Sequence, residues 1–356
     1  MIETPKGRDL LQRLEPYTPG EQPSGTGILK LNTNENPYPP PSAVVEEVRA
    51  ATGERLRLYP NPSSESLRRA LAAYHAVDPD QVLLGNGSDE ILRLLVHAFI
   101  DPGMSIAVVD PTYSLYPVLS ETYDGNTMVY PLVERENLPE PLFTAPEPLL
   151  FLPNPNPPIG TFYDRSLVAR LCREREDRLV LIDEAYVDFA PRDMVPLLSE
   201  YPNLAISRTF SKSYSLAGMR IGYLLGHADL IHNISKIKDS YNLNALSQIA
   251  GAAAISAFPE MQENARKIME TRRWTTEKLQ GLGYTVPESH GNFVFAIHPD
   301  ARDIFLALKA RKILVRYFDT PTLCDGMRIT IGTARDMERL IAALEDIHVN
   351  HSAVKS

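Results

Sequence analysis

Short, continuous runs of apolar residues alternate along the chain with longer segments in which apolar residues recur every three or four positions. The short runs are typical of strands buried on both faces of a sheet, and the longer segments are typical of amphipathic helices. The runs that predict strands lie at 81–84, 105–109, 149–152, 178–182, 204–208 and 221–225. Their alternation with helices predicts an α/β fold with a mostly parallel, doubly wound sheet.

The last third of the chain has a different pattern. A long helical stretch from about 245 to 282 is broken near Pro259, and it precedes predicted strands at 292–296, 313–316 and 327–331 and predicted helices at 303–309 and 336–344. This mixture predicts a smaller α+β domain. We therefore expect an N-terminal arm and the start of the small domain at 1–45, a large domain at 46–260 and a C-terminal small domain at 261–356. Near the end of the first part, Ser42 is predicted to cap a helix.

Lys212 lies in a polar stretch, residues 207–220. Taken alone, a lysine is typical of the protein surface. Here the hydroxyls of Thr209 and Ser211 and the guanidinium of Arg220 form an anion-binding set around the amine. An arginine suits a phosphate because it donates two parallel hydrogen bonds. A lysine that can form a Schiff base, next to a phosphate anchor, is what pyridoxal phosphate (PLP) requires.

Asp183 follows the apolar run 178–182. It is therefore expected at the carboxyl end of a buried strand, where open α/β sheets bind ligands. Alone, it would be interpreted as the cap of a following helix. Together with the lysine cluster, Asp183 is predicted to keep the ring nitrogen of PLP protonated, and Tyr186 to hydrogen-bond the phenolic oxygen of the cofactor.

Residues 85–90 (Gly-Asn-Gly-Ser-Asp-Glu) form a glycine-rich turn between a predicted strand and a predicted helix. Such a turn often only makes a tight bend. It can also bind an anion, because unpaired N–H groups and the helix dipole point at a ligand there.

Residues 183–186 and the stretch from Ser211 to Arg220 resemble the PLP signature of fold-type I aminotransferases. Within that group the chain resembles the histidinol-phosphate aminotransferase family. Further similar stretches cover nearly all of the chain, at 31–37, 59–60, 85–90, 154–160, 241–244 and 328–333. The resemblance implies a fold-type I PLP transferase in which Lys212 carries the cofactor and acts as general base. It also implies transamination of L-histidinol phosphate with 2-oxoglutarate, giving imidazole acetol phosphate and L-glutamate, in histidine biosynthesis.

The resemblance also implies roles for individual residues. It assigns the PLP phosphate to Gly87, Ser88, Asp89, Thr209, Ser211 and Arg220. Tyr113 would stack on the pyridine ring, and Asn156, held in a proline-rich loop, would contact the phenolic oxygen. Tyr59, which alone would be an ordinary surface residue, would reach the phosphate of a partner chain. A homodimer with shared active sites is therefore expected.

Substrate binding is expected from Arg316 and Arg328 in the small domain. Each arginine alone could equally form a structural salt bridge. The resemblance makes Arg328 the ligand of a carboxylate or phosphate and Arg316 a second phosphate ligand, with Tyr17 from the N-terminal arm and Asn34 completing the set. Histidinol phosphate has no α-carboxylate, so its phosphate must use the anion site that accepts the carboxylate of glutamate.

The catalytic motifs leave other functions open. The aromatic pair at 317–318 departs from the more polar segment frequent in the family, and it also fits an aromatic amino-acid aminotransferase. A PLP-dependent decarboxylase of O-phospho amino acids would share the core residues, but it would release carbon dioxide and need no keto acid. A PLP-binding module of a regulator is disfavoured, because the chain has the full catalytic set and no added DNA-binding segment.

Composition limits the remaining classes. The chain has 356 residues, 44% of them hydrophobic and 23% charged, which is typical of a globular enzyme with a sizeable core. The formal net charge of −9 argues against binding to nucleic acid or to anionic membranes. No signal peptide or membrane span is expected. Cys172 and Cys324 are both predicted to be buried small residues in a reduced, cytoplasmic compartment. The expected partners are small-molecule substrates, without a metal.

Overall fold

The computed structural model of the chain describes residues 7–133 and 137–355, with side chains described as far as residue 349. The strands are β1 (Leu29–Lys30), β2 (Val82–Asn86), β3 (Ser105–Asp110), β4 (Asn126–Pro131), β5 (Leu149–Pro153), β6 (Leu179–Asp183), β7 (Leu204–Thr209), β8 (Ile221–Gly226), β9 (Phe293–Ile297), β10 (Ile313–Leu314), β11 (Arg316–Tyr317) and β12 (Gly326–Thr330). The α-helices are α1 (Leu10–Arg13), α2 (Ser42–Ala51), α3 (Glu65–His75), α4 (Ser88–Phe99), α5 (Leu115–Thr122), α6 (Glu140–Phe143), α7 (Arg165–Glu174), α8 (Ala228–Ser235), α9 (Ala245–Ser256), α10 (Phe258–Gly281), α11 (Ala301–Ala310) and α12 (Ala334–Lys355).

The large sheet has seven strands in the order β2-β8-β7-β6-β5-β3-β4. All neighbouring pairs are parallel except those of β8, which runs antiparallel to both β2 and β7. Successive residues of a strand contribute to opposite faces: Val180 and Ile182 join one hydrophobic core, and Leu179 and Leu181 join another. Burial on both faces explains why these strands are continuous apolar runs. The predicted α/β fold with a mostly parallel, doubly wound sheet is confirmed.

A smaller antiparallel sheet, in the order β11-β12-β9, lies in the C-terminal part of the chain. Helices α10, α11 and α12 pack with it through residues that belong to the same core as one face of the large sheet. The N-terminal segment is attached to this part, because β1 pairs in parallel with β10. The α+β character of this part is as predicted. The domain boundaries at residues 45 and 260 remain predictions.

Some local predictions are wrong. Ser42 is the first residue of α2 and makes no side-chain cap, because Pro41 occupies the cap position. Strand β4 was not expected from the sequence. It is an edge strand whose residues are mostly exposed, so it has no continuous apolar run. Cys172 is buried as predicted, but Cys324 is exposed in the turn before β12.

Over residues 7–133 and 137–355, no helix combines the length and the apolar character needed to cross a bilayer. The long helices α10 and α12 carry many charged side chains.

Candidate active site

A cleft at the carboxyl ends of the large-sheet strands brings together most of the residues that the sequence singled out. Its lining includes the predicted residues Tyr17, Asn34, Ser88, Asp89, Tyr113, Asp183, Tyr186, Thr209, Ser211, Lys212, Arg220, Arg316 and Arg328. They come from the N-terminal arm, the large sheet and the small sheet. Gly87 lies directly beneath this set, whereas Asn156 and Tyr59 do not line the cleft.

Lys212 projects from the loop that follows β7. The amide of Asn36 donates hydrogen bonds to the backbone oxygens of Lys212 (3.1 Å) and Ser213 (2.9 Å), which fixes the loop against the N-terminal segment. The hydroxyl of Ser213 donates to the buried carboxylate of Asp188. The amine of Lys212 in turn lies 3.4 Å from the carbonyl oxygen of Thr33. The loop backbone is therefore held from two sides, while the amine faces the cleft.

Arg220 lies at one end of the cleft, next to the turn between β2 and α4. Its guanidinium donates to the carboxylate of Asp89 (2.9 Å) and lies 3.5 Å from the hydroxyl of Ser211. Gly87 has a φ of +79°, and a Cβ on it would lie only 2.5 Å from the Arg220 Nη2 atom. A glycine is thus required for the arginine to reach the start of helix α4. The N-terminus of α4, the hydroxyls of Thr209 and Ser211 and the guanidinium of Arg220 form a cradle for a phosphate.

Gly222 makes the same cradle possible, and its role was not recognised in the sequence. A Cβ at this position of β8 would lie 2.3 Å from the backbone nitrogen of Ser88. The signal was available only as an unexplained glycine inside a strand, which often marks the close approach of another backbone.

Asp183 is the last residue of β6 and is only 5% exposed. Its carboxylate accepts hydrogen bonds from the hydroxyls of Tyr116 (2.9 Å) and Ser207 (3.1 Å) and from the backbone nitrogen of Ala185 (3.2 Å). Burial raises the pKa of Asp183 to about 6, and the hydrogen bonds from Tyr116 and Ser207 oppose that rise. The next helix is a short 3₁₀ turn at Val187–Phe189 whose cap position is Tyr186, so Asp183 does not cap a helix.

Three tyrosines lie around the middle of the cleft. The ring of Tyr17 meets the ring of Tyr113 edge-on, with centroids 5.9 Å apart. Burial raises the pKa of Tyr113, so its hydroxyl stays protonated at neutral pH. The hydroxyl of Tyr186 accepts a hydrogen bond from the side-chain amide of Asn34 (2.9 Å). The structure therefore joins the N-terminal segment to residues that follow two different strands, β3 and β6.

Besides Gly87, two predicted cofactor residues lie outside the cleft lining. The amide of Asn156 donates to the carbonyl oxygen of Pro111 (2.9 Å), and its own oxygen is buried without a hydrogen-bond partner among the described residues. Tyr59 is 81% exposed and stacks on Tyr241 with centroids 4.5 Å apart. The roles assigned to Asn156 and Tyr59 remain predictions.

Arg316 and Arg328 face each other across the small sheet as register partners of β11 and β12. Within the described part of the chain neither has a carboxylate partner; instead they donate to the backbone oxygens of Thr18 (3.2 Å) and Asn32 (2.8 Å). Burial lowers the pKa of Arg328, and the charge of Arg316 acts in the same direction. The alternative of a structural salt bridge is thus not realised among the described residues, and two cationic groups line the cleft.

Several further cleft residues were given no individual role from the sequence, although Asn32 and Thr33 lie in the stretch 31–37 and Phe318 in the aromatic pair at 317–318. They are Gln22, Asn32, Thr33, Thr112, Ser114 and Phe318. The hydroxyls of Thr33 and Thr112 are buried and lack a hydrogen-bond partner among the described residues. Buried polar atoms of this kind are rare unless a ligand or water satisfies them.

The residues present fit PLP. The cradle around Arg220 fits its phosphate, and the lysine lies in the same cleft. Asp183 is a buried carboxylate without a cationic side-chain partner in the described residues, so a protonated ring nitrogen would supply the missing positive charge. The unsatisfied hydroxyls of Thr33 and Thr112 leave further polar contacts for a bound group.

Comparison with known proteins gives a consistent result. Residues 26–344 match the family described as aminotransferase class I and II. The histidinol-phosphate aminotransferase of Gluconacetobacter diazotrophicus is 43% identical over 343 residues, which cover 95% of this chain and 96% of that protein. The enzyme of the same name from Microcystis aeruginosa is 40% identical over 96% of this chain and 98% of its own length. The crystal structure of histidinol-phosphate aminotransferase from Sinorhizobium meliloti in complex with pyridoxal-5'-phosphate superposes with a TM-score of 0.88 and 25% identity, over 97% of this chain and 98% of that one.

Proposed function

Because this chain belongs to the class I and II aminotransferases, and its relatives at 40–43% identity are histidinol-phosphate aminotransferases, we propose that it transfers the amino group of L-histidinol phosphate to 2-oxoglutarate. The products are imidazole acetol phosphate and L-glutamate. The cofactor of this aminotransferase is PLP.

The proposed substrate is inferred mainly from Arg316 and Arg328. One cleft contains two separate cationic groups, Arg220 next to the β2–α4 turn and the two arginines of the small sheet. A cofactor with one phosphate accounts for the first group. A substrate with a second phosphate accounts for the other, since two guanidiniums can neutralise a dianion. Glutamate would place a carboxylate at the same arginines in the second half of the cycle.

The residues around the cleft have separate tasks. PLP supplies an electron-withdrawing ring that stabilises negative charge at the carbon from which a proton is removed. Lys212 binds the cofactor covalently, and its freed amine then takes the proton from the substrate carbon that bears the nitrogen. Asp183 would pair with the ring nitrogen, and Tyr186 would donate its hydroxyl to the phenolic oxygen. Tyr113 would stack on the ring, while Ser88, Ser211 and Arg220 would hold the phosphate.

A homodimer with shared active sites is part of the same proposal. Tyr59 and Tyr241 form an exposed aromatic stack, and Leu56 and Leu58 beside it are each 55% exposed. Exposed apolar side chains that cluster in this way are typical of a surface that another protein covers. A second copy of the chain, related by a two-fold axis, would cover it and would bring each Tyr59 toward the site of its partner.

A single-turnover experiment tests the substrate. Purified enzyme loaded with PLP is mixed with histidinol phosphate, glutamate, phenylalanine, tyrosine or an O-phospho amino acid, and the absorbance change of the cofactor is followed. We expect histidinol phosphate and glutamate to react fastest in this half-reaction. In a steady-state assay, repeated turnover of histidinol phosphate should require 2-oxoglutarate. Release of carbon dioxide without a keto acid would instead establish a decarboxylase.

One observation supports a second candidate, an aromatic amino-acid aminotransferase. Phe318 lines the cleft, and its ring centroid lies 5.5 Å from the Arg316 guanidinium and 5.8 Å from that of Arg328. Tyr317 is turned away, since its hydroxyl bonds to the carbonyl oxygen of Cys324 and its ring stacks on Phe305. Phenylalanine or tyrosine reacting faster than histidinol phosphate in the same panel would favour this candidate.

A further inference from the structure

The hydroxyl of Tyr116 makes a contact that the reaction described above does not explain. Tyr116 lies in the first turn of α5, is fully buried and does not line the cleft. Its ring meets that of Tyr113 edge-on at 5.5 Å and lies 5.0 Å from the ring of Phe151. Its hydroxyl donates to the Oδ2 atom of Asp183 at 2.9 Å.

The two oxygens of Asp183 are held by different donors. Oδ2 accepts from Tyr116, and Oδ1 accepts from Ser207 and from the backbone nitrogen of Ala185. Donors on both oxygens fix the plane of the carboxylate; the two donors to Oδ1 occupy both of its lone pairs, whereas Oδ2 still has one free lone pair for a further donor. Among the described residues no arginine or lysine forms an ion pair with Asp183. Neutral donors alone therefore keep this buried group charged, which burial by itself disfavours.

We propose that Tyr116 is a positioning residue that keeps Asp183 ionised and aimed at the cofactor ring, so that the site selects a ring with a protonatable nitrogen. A hydrogen bond from a neutral hydroxyl to a charged group is among the stronger ones, and it acts here in a dry environment. Without it, the carboxyl group is neutral more of the time and its orientation is less restricted. The site then loses its preference for a cationic ring. The inference rests on PLP as the cofactor and does not depend on the amino donor.

Binding of two isosteric cofactors to the apo-enzyme tests this role. PLP and its 1-deaza analogue, in which a C–H group replaces the ring nitrogen, are titrated separately and their Kd values are compared. The wild type is expected to prefer PLP. The preference is expressed as the Kd of the 1-deaza analogue divided by the Kd of PLP. In Tyr116→Phe we expect this ratio to fall about tenfold, as the loss of one hydrogen bond to a charged group implies. If the substitution only disturbed packing, it would weaken the binding of both ligands alike and leave the ratio unchanged. An unchanged ratio would overturn the proposal.

Three further variants make the result specific. Ser207→Ala removes the hydroxyl donor to Oδ1 and is expected to lower the same ratio, so the proposal stays testable if Tyr116→Phe folds poorly. Tyr223→Phe removes another buried hydroxyl, one bonded to His75 at 2.9 Å, and should leave the ratio at the wild-type value. Asp183→Asn should abolish the preference. If it does not, the assignment of Asp183 to the ring nitrogen fails, and this proposal fails with it, whatever the identity of the amino donor.

Discussion

The side-chain amine of Lys212 lies 3.4 Å from the backbone oxygen of Thr33, although 179 positions separate the two residues in the chain. The contact places the predicted reactive lysine against the segment that leads from β1 toward α2. That segment also contributes Asn34, which bonds to Tyr186, and Asn36, which bonds to the lysine loop. The N-terminal segment is therefore part of the wall of the active site.

Replacing this lysine tests its chemical role. Lys212→Ala removes both the covalent attachment point and the proposed base, and loss of the base alone costs about 10²–10⁴ in rate. We expect transamination to be undetectable in a coupled glutamate assay, while PLP still binds without a covalent bond. Borohydride reduction followed by peptide mass spectrometry should label Lys212 in the wild type. Lys236→Ala, at an exposed lysine on the surface, is the matched control and should keep full activity. Full activity in Lys212→Ala would exclude the assignment.

Asp183→Asn keeps the shape of the side chain and removes its charge. We expect kcat/KM to fall by about 10²–10³, since this is the usual cost of losing one preorganised electrostatic group. The thermal unfolding midpoint should change little. Asp164→Asn provides the comparison, because Asp164 is a true helix cap that accepts from the backbone nitrogen of Ser166, and asparagine caps equally well. Activity of Asp183→Asn within a small factor of the wild type would show that the charge has no catalytic role.

Arg316→Ala separates the two anionic substrates. Removing one of two guanidiniums should weaken the binding of a phosphate dianion more than the binding of a carboxylate. We therefore expect kcat/KM to fall at least about tenfold more for histidinol phosphate than for glutamate. Arg311→Ala is the control, because Arg311 forms an exposed ion pair with Asp346. Equal losses for both substrates would indicate a general carboxylate ligand and would favour the aromatic aminotransferase.

Mixed dimers test whether Tyr59 acts across an interface. Tyr59→Ala should weaken PLP binding about 10- to 100-fold, because a hydrogen bond to a charged phosphate is lost. When Tyr59→Ala and Lys212→Ala chains are mixed at limiting PLP, each mixed dimer has one site with an intact lysine and an intact partner tyrosine. Random mixing should then restore about a quarter of the sites. No recovery, or a fully active monomer in sedimentation, would contradict the shared site.

We predict that the stability of the protein depends on pH through His75, the last residue of α3. Burial and the nearby charge of Arg208 lower the pKa of His75 to about 3. Between pH 3 and 6.5 the unfolded chain therefore binds a proton at His75 that the folded chain does not. The free energy of unfolding should fall as the pH drops below 6.5, by up to about 1.4 kcal/mol per pH unit from this group.

Urea unfolding of the apo-protein at pH 7, 6 and 5 measures this dependence. His75→Gln stays neutral over the whole range and can still bond to Tyr223, so its stability should fall less steeply than that of the wild type. His232→Gln changes an exposed histidine and is the control. Equal slopes in the wild type and His75→Gln would show that His75 does not titrate differently in the folded state.

The sequence predicted the large sheet well because burial on both faces leaves a strong local signal. The strand that ends at Asp183 could be found from its apolar run, and the functional residues followed from the rule that ligands bind at carboxyl ends. The antiparallel direction of β8 could not be found in this way, because strand direction depends on partners distant in the chain. The edge strand β4 has too few buried residues to give a pattern.

The same distinction applies within the site. Lys212, Asp183 and Arg220 have a chemistry that few other residue types supply, so their side chains could be proposed from sequence. Tyr116, Thr33 and Gly222 act through contacts between segments far apart in the chain, and the local sequence does not indicate the partners in those contacts. No sequence pattern singled out Tyr116, and its role depends on the contact between its hydroxyl and Asp183.

The register of the small sheet has a consequence for how this protein can evolve. Arg316 and Arg328 are direct partners across β11 and β12, and like charges placed opposite each other destabilise a pair of strands. Selection for a more stable protein therefore favours a neutral residue at one of these positions, whereas the proposed binding of a phosphorylated substrate favours two arginines. Under that proposal, a descendant that no longer needs the substrate would gain stability from the same substitution that weakens binding of the phosphate.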